Sequence, residues 1–139
     1  MVINDREYRL IVPKWDNSGR KIKSEEIEEI AKRMSDHFGG VSIIPSILGC
    51  WKNEEGKLIC EENLVFQTYR DSESVRDWER QKKIDEEFVN SIAKELGKRF
   101  GQESVLIGED KVEVNFVEGK YRKELPPERI GIDWFKKLV

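Results

Sequence analysis

The sequence predicts an α+β fold in which an antiparallel sheet carries two helices on one of its faces. Three observations lead to this prediction. Two long stretches repeat apolar residues at helical spacing, several short stretches alternate apolar and polar residues, and turn-forming residues separate them in the order strand, helix, strand, strand, helix, strand. With 139 residues, of which 37% are hydrophobic, the chain can bury one core. The order is the βαββαβ pattern of the ferredoxin-like plait.

The start of the chain is predicted to form a strand and a helix. Residues 7–12 alternate apolar and polar side chains, as a strand with one buried face does. After a turn-rich segment, Ser24 is a suitable N-cap for a helix whose dipole favours the acidic residues that follow it. Gly39 or Gly40 supplies the left-handed residue that ends the helix. The buried stripe of this helix consists of Ile27, Ile30, Ala31, Met34 and Phe38.

The middle of the chain is predicted to form an extended hairpin. Residues 41–51 make a strand that Pro45 interrupts, and an edge strand tolerates such a proline whereas a central strand does not. The loop consists of the three residues 54–56, with its glycine left-handed. The chain returns at residues 58–60 and continues as a core strand at residues 64–69. The first and third strands are therefore expected to be central in the sheet.

A second helix and two short strands complete the predicted domain. N-cap residues at positions 71–74 start the helix, whose apolar stripe permits a break near residues 81–83. The helix ends near the glycines of residues 97–101. Two strands, residues 104–107 and 111–117, are expected to flank a turn that contains a glycine and two acidic residues.

The C-terminal segment is interpreted as a tail appended to this domain. We assign residues 1–117 to the ferredoxin-like domain and residues 118–139 to the tail, in which Pro127 suits the first position of a short helix. The tail carries too many apolar residues to be left in water, so it is expected to dock on the domain or on a partner. These residues are Ile130, Ile132, Trp134, Phe135, Leu138 and Val139.

Composition and charge exclude several classes of protein. The formal net charge is −3, so the chain lacks the positive footprint of a nucleic-acid binder, and nucleic acid is not expected as a partner. No apolar run reaches the ~18 residues of a membrane helix and no signal-peptide pattern opens the chain, which predicts a cytoplasmic protein without a membrane partner. Charged residues make up 38%, and their alternating signs resemble those of proteins from hot environments; a soluble mesophilic protein is the alternative.

Short motifs relate the chain to other proteins. They are Phe-Gly-Gly-Val at residues 38–41, Gly-Cys-Trp at residues 49–51 and Gly-Gln-Glu-Ser-Val at residues 101–105. In these motifs the chain resembles a group of uncharacterised bacterial, phage and archaeal proteins, over about residues 7–117. The resemblance implies the ferredoxin-like fold, dimeric in some members, and no known reaction.

The two cysteines are predicted to face each other across the hairpin. If residues 54–56 form the loop, Asn53 pairs with Lys57, and Cys50 then lies opposite Cys60. Counting along the ladder makes this a pair without backbone hydrogen bonds, with Cα atoms ~4.5 Å apart, which is within the range of a disulfide. Disulfides are unusual in the cytosol, so two reduced thiols packed on the hairpin are the alternative. Without nearby His or Cys partners the pair is a poor zinc site, and no metal is expected.

Candidate site residues fall at the two ends of the predicted sheet. His37 is the only histidine, and together with Asp71 at the same end it is the candidate for proton transfer. The structural alternative is that His37 lies in the last turn of a helix, where a cation suits the helix dipole. At the other end, Trp15 and Trp51 either grip a ligand or cover the end of the core.

The sheet face that the helices leave uncovered is the candidate surface for a ligand or for a second copy. Plaits often use this face in that way, and a half-solvated sheet is the alternative. We therefore expect a non-enzymatic interaction or small-ligand-binding module that forms a homodimer, binds an unidentified small molecule and needs no cofactor. A small enzyme that uses His37 and Asp71, or the open face, is the alternative. RNA binding through this face is disfavoured by the charge. The face is expected to present Arg9, Ile11, Val65, Gln67 and Tyr69.

Overall fold

The computed structural model describes residues 2–100, 107–116 and 132–139. The motif at residues 101–105 and the prolines at residues 126–127 lie outside the described residues. The fold is α+β, as predicted. The elements are β1 (Val2–Pro13), α1 (Ser24–Phe38), β2 (Ser42–Lys52), β3 (Leu58–Arg70), α2 (Trp78–Phe100), β4 (Ile107–Phe116) and α3 (Ile132–Lys136).

The four described strands form one antiparallel sheet in the order β2-β3-β1-β4. As predicted, β1 and β3 are central and the strand that contains Pro45 is at an edge. The register of β2 against β3 shifts between Ile44 and Ile47, on either side of this proline. The shift arises because proline has no N–H to donate to the ladder.

The core lies between the sheet and the two long helices. Leu10 of β1 and Phe66 of β3 face each other in the register and are fully buried. They belong to one apolar cluster with Ile27 of α1 and Ile92 of α2, so both helices cover the same face of the sheet. From the C-terminal segment, Phe135 and Leu138 pack against the cluster.

Two glycines occupy the left-handed positions that the sequence indicates. Gly39 ends α1 with φ 95°, and its N–H donates to the Ser35 carbonyl over 2.8 Å. In the hairpin, Gly56 has φ 80°, and the Asn53 N–H donates to the Lys57 carbonyl over 2.9 Å. The predicted hairpin loop and register are therefore confirmed.

The starts and interiors of the helices differ from the prediction. The N-cap of α1 is Lys23, which is extended, and its N–H donates to Glu26; Ser24 is already the first helical residue. The break that the sequence permits in α2 near residues 81–83 does not occur: the helix is continuous there, and the Gln81 N–H makes the regular helical hydrogen bond to the Asp77 carbonyl. No glycine or proline stands there to interrupt the backbone ladder.

Two predicted interruptions of strands do not occur in the structure. The predicted strand at residues 104–107 lies, apart from Ile107, outside the described residues. The strand β3 runs from Leu58 to Arg70 without a gap because β2 pairs along its outer half and β1 along its inner half. The strand β4 passes straight through the expected turn because β1 continues to pair with it, with Gly108 opposite Arg9. The guanidinium of Arg9 lies over this glycine, where a Cβ atom would be 2.8 Å from Nη2. The predicted turn at Gly108 is therefore wrong.

Candidate functional site

A buried carboxylate joins the ends of α1, α2 and β3. Asp85 of α2 is fully buried. Its Oδ1 lies 2.7 Å from Nε2 of His37, which belongs to the last turn of α1. Arg70, the last residue of β3, donates from Nε and Nη2 to the two carboxylate oxygens over 3.0 and 2.9 Å. Gln81, one turn earlier on α2, donates from Nε2 over 2.8 Å. The carboxylate therefore accepts four hydrogen bonds, which offset the cost of burying its charge.

The guanidinium of Arg70 also ties the end of α1 to the sheet. Its Nη2 donates to the His37 carbonyl over 3.3 Å, so it satisfies one of the carbonyl groups that a helix end leaves without a partner. Its Cζ lies 5.1 Å from the centre of the Phe38 ring. A single cation thus neutralises Asp85 and fixes the last residues of α1.

Aromatic rings hold the imidazole of His37 in place. The ring stacks on Phe88 with centroids 4.0 Å apart and an interplanar angle of 4°. Phe38 meets both rings edge-on, at 4.6 Å from His37 and 5.8 Å from Phe88. The imidazole is therefore fixed by stacking as well as by its hydrogen bond to Asp85.

The structure gives His37 a different acidic partner from the one the sequence indicated. Asp71 lies between β3 and α2, and its carboxylate accepts the Glu73 N–H over 3.0 Å while its carbonyl accepts the Ser74 hydroxyl. Asp71 thus orders the turn before α2. The acid that orients the imidazole is Asp85.

Position 85 carried a signal that the sequence reading missed. The buried residues of α2 recur at 85, 89, 92, 96 and 100, which is one helical stripe. An acid in an apolar stripe predicts a buried charge that needs a cation from another element. The sequence does not indicate that this cation is Arg70, because the pairing depends on how β3 and α2 pack together.

Tyr8 carries the one buried side-chain polar atom without a hydrogen-bond partner in the described part of the chain. Its ring lies 5.3 Å from that of Phe38, between the sheet and the helix ends. Burial raises the pKa of the Tyr8 phenol, and the negative charges of Glu109, Asp85 and Glu86 add to the effect. The hydroxyl therefore remains protonated.

Replacing Tyr8 by phenylalanine is expected to raise the free energy of unfolding by about 1 kcal/mol or more. The reason is that the buried hydroxyl loses its hydrogen bonds to water on folding and gains none in the protein. Urea denaturation at neutral pH measures the change. Tyr69→Phe, which removes a partly exposed hydroxyl, is the control and should stay within about 0.5 kcal/mol. A less stable Tyr8→Phe variant would contradict the assignment of an unpaired hydroxyl.

A pocket of about 490 Å³ opens beside the aromatic rings of His37, Phe38 and Phe88, at the C-terminal end of α1. Residues 38–42, residues 67–69 and Asn4 line it. Its walls combine two aromatic rings, Phe38 and Tyr69, with amides and hydroxyls, and no lining side chain is charged. Thr68 closes one side by donating its hydroxyl to the Gly40 carbonyl over 2.6 Å.

Part of the sheet face that the helices leave uncovered lines this pocket, and the rest consists of side chains that are hydrogen-bonded to one another or largely buried. Gln67 and Tyr69 of the predicted face line the pocket. Glu7 accepts hydrogen bonds from Gln67 Nε2 over 2.6 Å and from Arg9 Nη1 over 3.0 Å. Val65 is only 2% exposed, and its neighbour across the ladder, Ile11, is partly buried. The middle of this face is therefore not an open apolar surface.

The two tryptophans of the other end are exposed and separate. Lys21 Nζ lies 5.5 Å from the ring centre of Trp15, and Trp51 lies opposite Ile59 on the hairpin. No ring contact joins Trp15 to Trp51 within the residues that the structure describes.

The hairpin contains a disulfide between Cys50 and Cys60. The two residues are directly opposite in the register, with Cα atoms 4.1 Å apart. Exposed apolar side chains surround the bond, so the hairpin projects beyond the part of the sheet that the helices cover.

Two kinds of feature are absent from the described residues. No cluster of three or more His, Cys, Asp or Glu side chains is arranged to hold a metal ion in the described ranges. Among the helices seen in these ranges, none has the length and apolar character needed to cross a membrane.

Comparisons with known proteins give the fold alone. No protein-family model matches the chain, and no curated protein matches it. A phage SAM lyase in complex with S-methyl-5′-thioadenosine is similar in structure, with a TM-score of 0.53 and 18% identity over 81% of this chain and 91% of that chain. The apo state of a phage SAM lyase has a TM-score of 0.54 and 17% identity over 86% of this chain and 94% of that chain. CutA1 from Oryza sativa has a TM-score of 0.43 and 9% identity over 98% of this chain and 94% of that chain.

Proposed function

We propose that the protein is a self-associating module, built on a ferredoxin-like plait, that binds a small molecule in the pocket at the end of α1. The observation that carries the proposal is the pocket itself, a concave space of about 490 Å³ with an aromatic and uncharged polar lining. Pockets of this size and character are the usual places where proteins bind small ligands.

The lining favours a flat heteroaromatic ligand with hydrogen-bonding substituents. The rings of Phe38 and Tyr69 offer faces on which such a ring can stack, and Asn4, Ser42 and Gln67 offer amide and hydroxyl groups at its edge. The carbonyl end of α1 adds a partial negative charge, which disfavours an anionic group in the pocket. A nucleoside satisfies these conditions.

The test is titration with S-methyl-5′-thioadenosine, the molecule bound in the similar phage SAM lyase, followed by isothermal calorimetry. Gly40 lines the pocket, has no positive φ and has open space where a Cβ would be, so a large side chain there can fill the pocket without straining the backbone. Gly40→Phe is therefore expected to weaken binding at least about tenfold, or ~1.4 kcal/mol.

Asn90→Phe provides the matched control, because it adds the same ring at an exposed position of α2 away from the pocket. Its affinity should equal that of the wild type. Equal binding by the wild type and Gly40→Phe would place the ligand elsewhere. A wild type that binds neither S-methyl-5′-thioadenosine nor adenosine would refute the nucleoside class.

A second candidate function is that of a small enzyme in which His37 transfers a proton. The hydrogen bond between His37 and Asp85 favours it, because it orients the imidazole next to the pocket-lining Phe38. The enzymatic hypothesis is that the imidazole of His37 removes a proton from the aminobutyrate chain of SAM, a C=C bond forms, and the C–S bond breaks with its electron pair going to the sulfonium sulfur. Incubation with SAM should then yield S-methyl-5′-thioadenosine and an unsaturated four-carbon amino acid by chromatography, and His37→Gln should abolish both products. Absence of product with the wild type would exclude SAM as the substrate.

Self-association is supported by exposed apolar side chains that this chain leaves uncovered. Because the middle of the open sheet face is closed, the association surface must be sought elsewhere on the molecule. Light scattering on the full-length protein tests this part of the proposal independently of ligand binding: a mass equal to one chain at all concentrations would refute it.

A further inference from the structure

The β2–β3 hairpin carries an unusual concentration of exposed apolar side chains. Leu48 and Leu58 are 67% and 66% exposed, and Trp51 is 49% exposed. Ile44 and Ile47 of the same hairpin are also exposed. The register places Ile44, Ile47 and Trp51 on one face of the hairpin, and Leu48 and Leu58, the two most exposed, on the other. Soluble monomers rarely leave large apolar side chains this exposed side by side, so the face with the two leucines calls for a partner.

One face of the hairpin has a symmetric arrangement around the disulfide. Side chains two residues apart on a strand share a face, so Leu48 and Lys52 lie on either side of Cys50, and Leu58 and Glu62 lie on either side of Cys60. We call this set the disulfide face. The register places its residues in the pairs Leu48 with Glu62, Cys50 with Cys60, and Lys52 with Leu58.

The partner is not expected to extend the sheet edge. The edge strand β2 contains Pro45, which offers no N–H, and the register shift between Ile44 and Ile47 interrupts the regular ladder. Proline and bulges at an edge are features that oppose pairing with another strand. Contact through the side chains of a face is therefore the remaining mode.

The charges on the disulfide face select the partner. Glu54, Glu55 and Glu61 flank it on the hairpin, and these acids disfavour nucleic acid and anionic lipid surfaces. Glu62 itself is held ionised, because hydrogen bonds from Lys14 and Ser46 lower the pKa of its carboxyl. The face thus presents at one end the carboxylate of Glu62, whose Oε2 is paired with Lys14, and at the other end the cation of Lys52.

We propose that the disulfide face binds the same face of a second copy of this chain. A two-fold axis that runs across the strands at the disulfide reverses the strand direction, so the end with Lys52 and Leu58 meets the end with Leu48 and Glu62 of the second copy. Because neighbouring strands are only ~4.8 Å apart, Leu58 reaches Leu48 of the second copy and Lys52 reaches its Glu62. Both contacts occur twice in the pair.

The inference names the surface for the self-association proposed above and rests on it. The experiment uses the full-length, oxidised protein in sedimentation velocity over a wide range of concentration. Leu58→Glu is expected to raise the dissociation constant of the dimer about 30-fold or more, the effect typical of a central apolar contact. The control is Ile84→Glu, which makes the same change at a 41%-exposed position of α2 and should leave the constant unchanged. Circular dichroism verifies that both variants are folded.

A charge reversal tests the arrangement of the two copies. Lys52→Glu creates like-charge contacts with Glu62 of the second copy and leaves the ion pair between Glu62 and Lys14 intact, so this variant is expected to be mainly monomeric. The control is Lys57→Glu, which makes the same change at an exposed lysine of the hairpin outside the disulfide face and should leave the dissociation constant nearly unchanged.

The outcomes separate the surface from the self-association. A monomeric wild type overturns both. A wild type that associates while Leu58→Glu associates equally well overturns only the disulfide face. A Lys52→Glu variant that associates as well as the wild type overturns the two-fold arrangement.

Discussion

Replacing Asp85 by alanine will lower the free energy of unfolding by about 3 to 5 kcal/mol, the largest effect expected of a single substitution at this site. The side chain is fully buried, and its removal leaves the guanidinium of Arg70 without its anion in a mostly buried position. It also removes the acceptor for His37 and Gln81. Urea denaturation measures the loss.

Two further variants show that the loss comes from the unpaired charge. Asp85→Asn keeps the shape of the side chain but not its charge, and it should be nearly as unstable as the alanine variant because Arg70 remains unpaired. Glu87→Ala, an exposed acid two residues later on α2, should change stability by less than about 0.5 kcal/mol. If Asp85→Ala cost no more than Glu87→Ala, the buried network would have no structural role.

Reduction of the Cys50–Cys60 disulfide will lower the free energy of unfolding by about 2 to 3 kcal/mol. The bond closes a loop between residues ten apart in sequence, and it removes from the unfolded chain the conformations in which the hairpin is open. The hairpin needs this constraint because exposed apolar residues flank the bond and no helix within the described residues covers it.

The measurement compares denaturation curves with and without a thiol reductant. A variant with serine at both Cys50 and Cys60 is the control: it should match the reduced wild type and should not respond to the reductant. Titration of free thiols in the denatured, unreduced protein should find none. Two titratable thiols would show that the bond does not form in solution.

Local features of the sequence were sufficient to predict the elements and the hairpin. The loop at residues 54–56 follows from turn residues that need a left-handed glycine, and once the loop is known, the opposition of Cys50 and Cys60 follows by counting. The two central strands and the edge position of Pro45 follow from the order of elements and the chemistry of proline. These inferences succeed because each depends on residues close together in the chain.

One boundary that failed depended on a distant partner and the other on a local contact. Gly108 reads as a turn by itself, but β1 pairs with it and holds it in a strand. Ser24 reads as an N-cap, but Lys23 has the extended conformation and Ser24 is buried in the first turn. At Gly108 tertiary pairing overrides the local preference for a turn, whereas at Ser24 the cap moves by one residue because the Lys23 N–H donates to Glu26, three residues later.

The sequence by itself determined which segments are helices and strands, the register of the hairpin and the cysteines that face each other across it. Only the tertiary structure decided the site: the partnership of Asp85 with His37 and Arg70, the unpaired hydroxyl of Tyr8, and the pocket at the end of α1. The physical reason is that a strand or a turn is specified by its neighbours in the chain, whereas a buried charge is satisfied by whichever side chains the packing of separate elements brings within hydrogen-bonding distance.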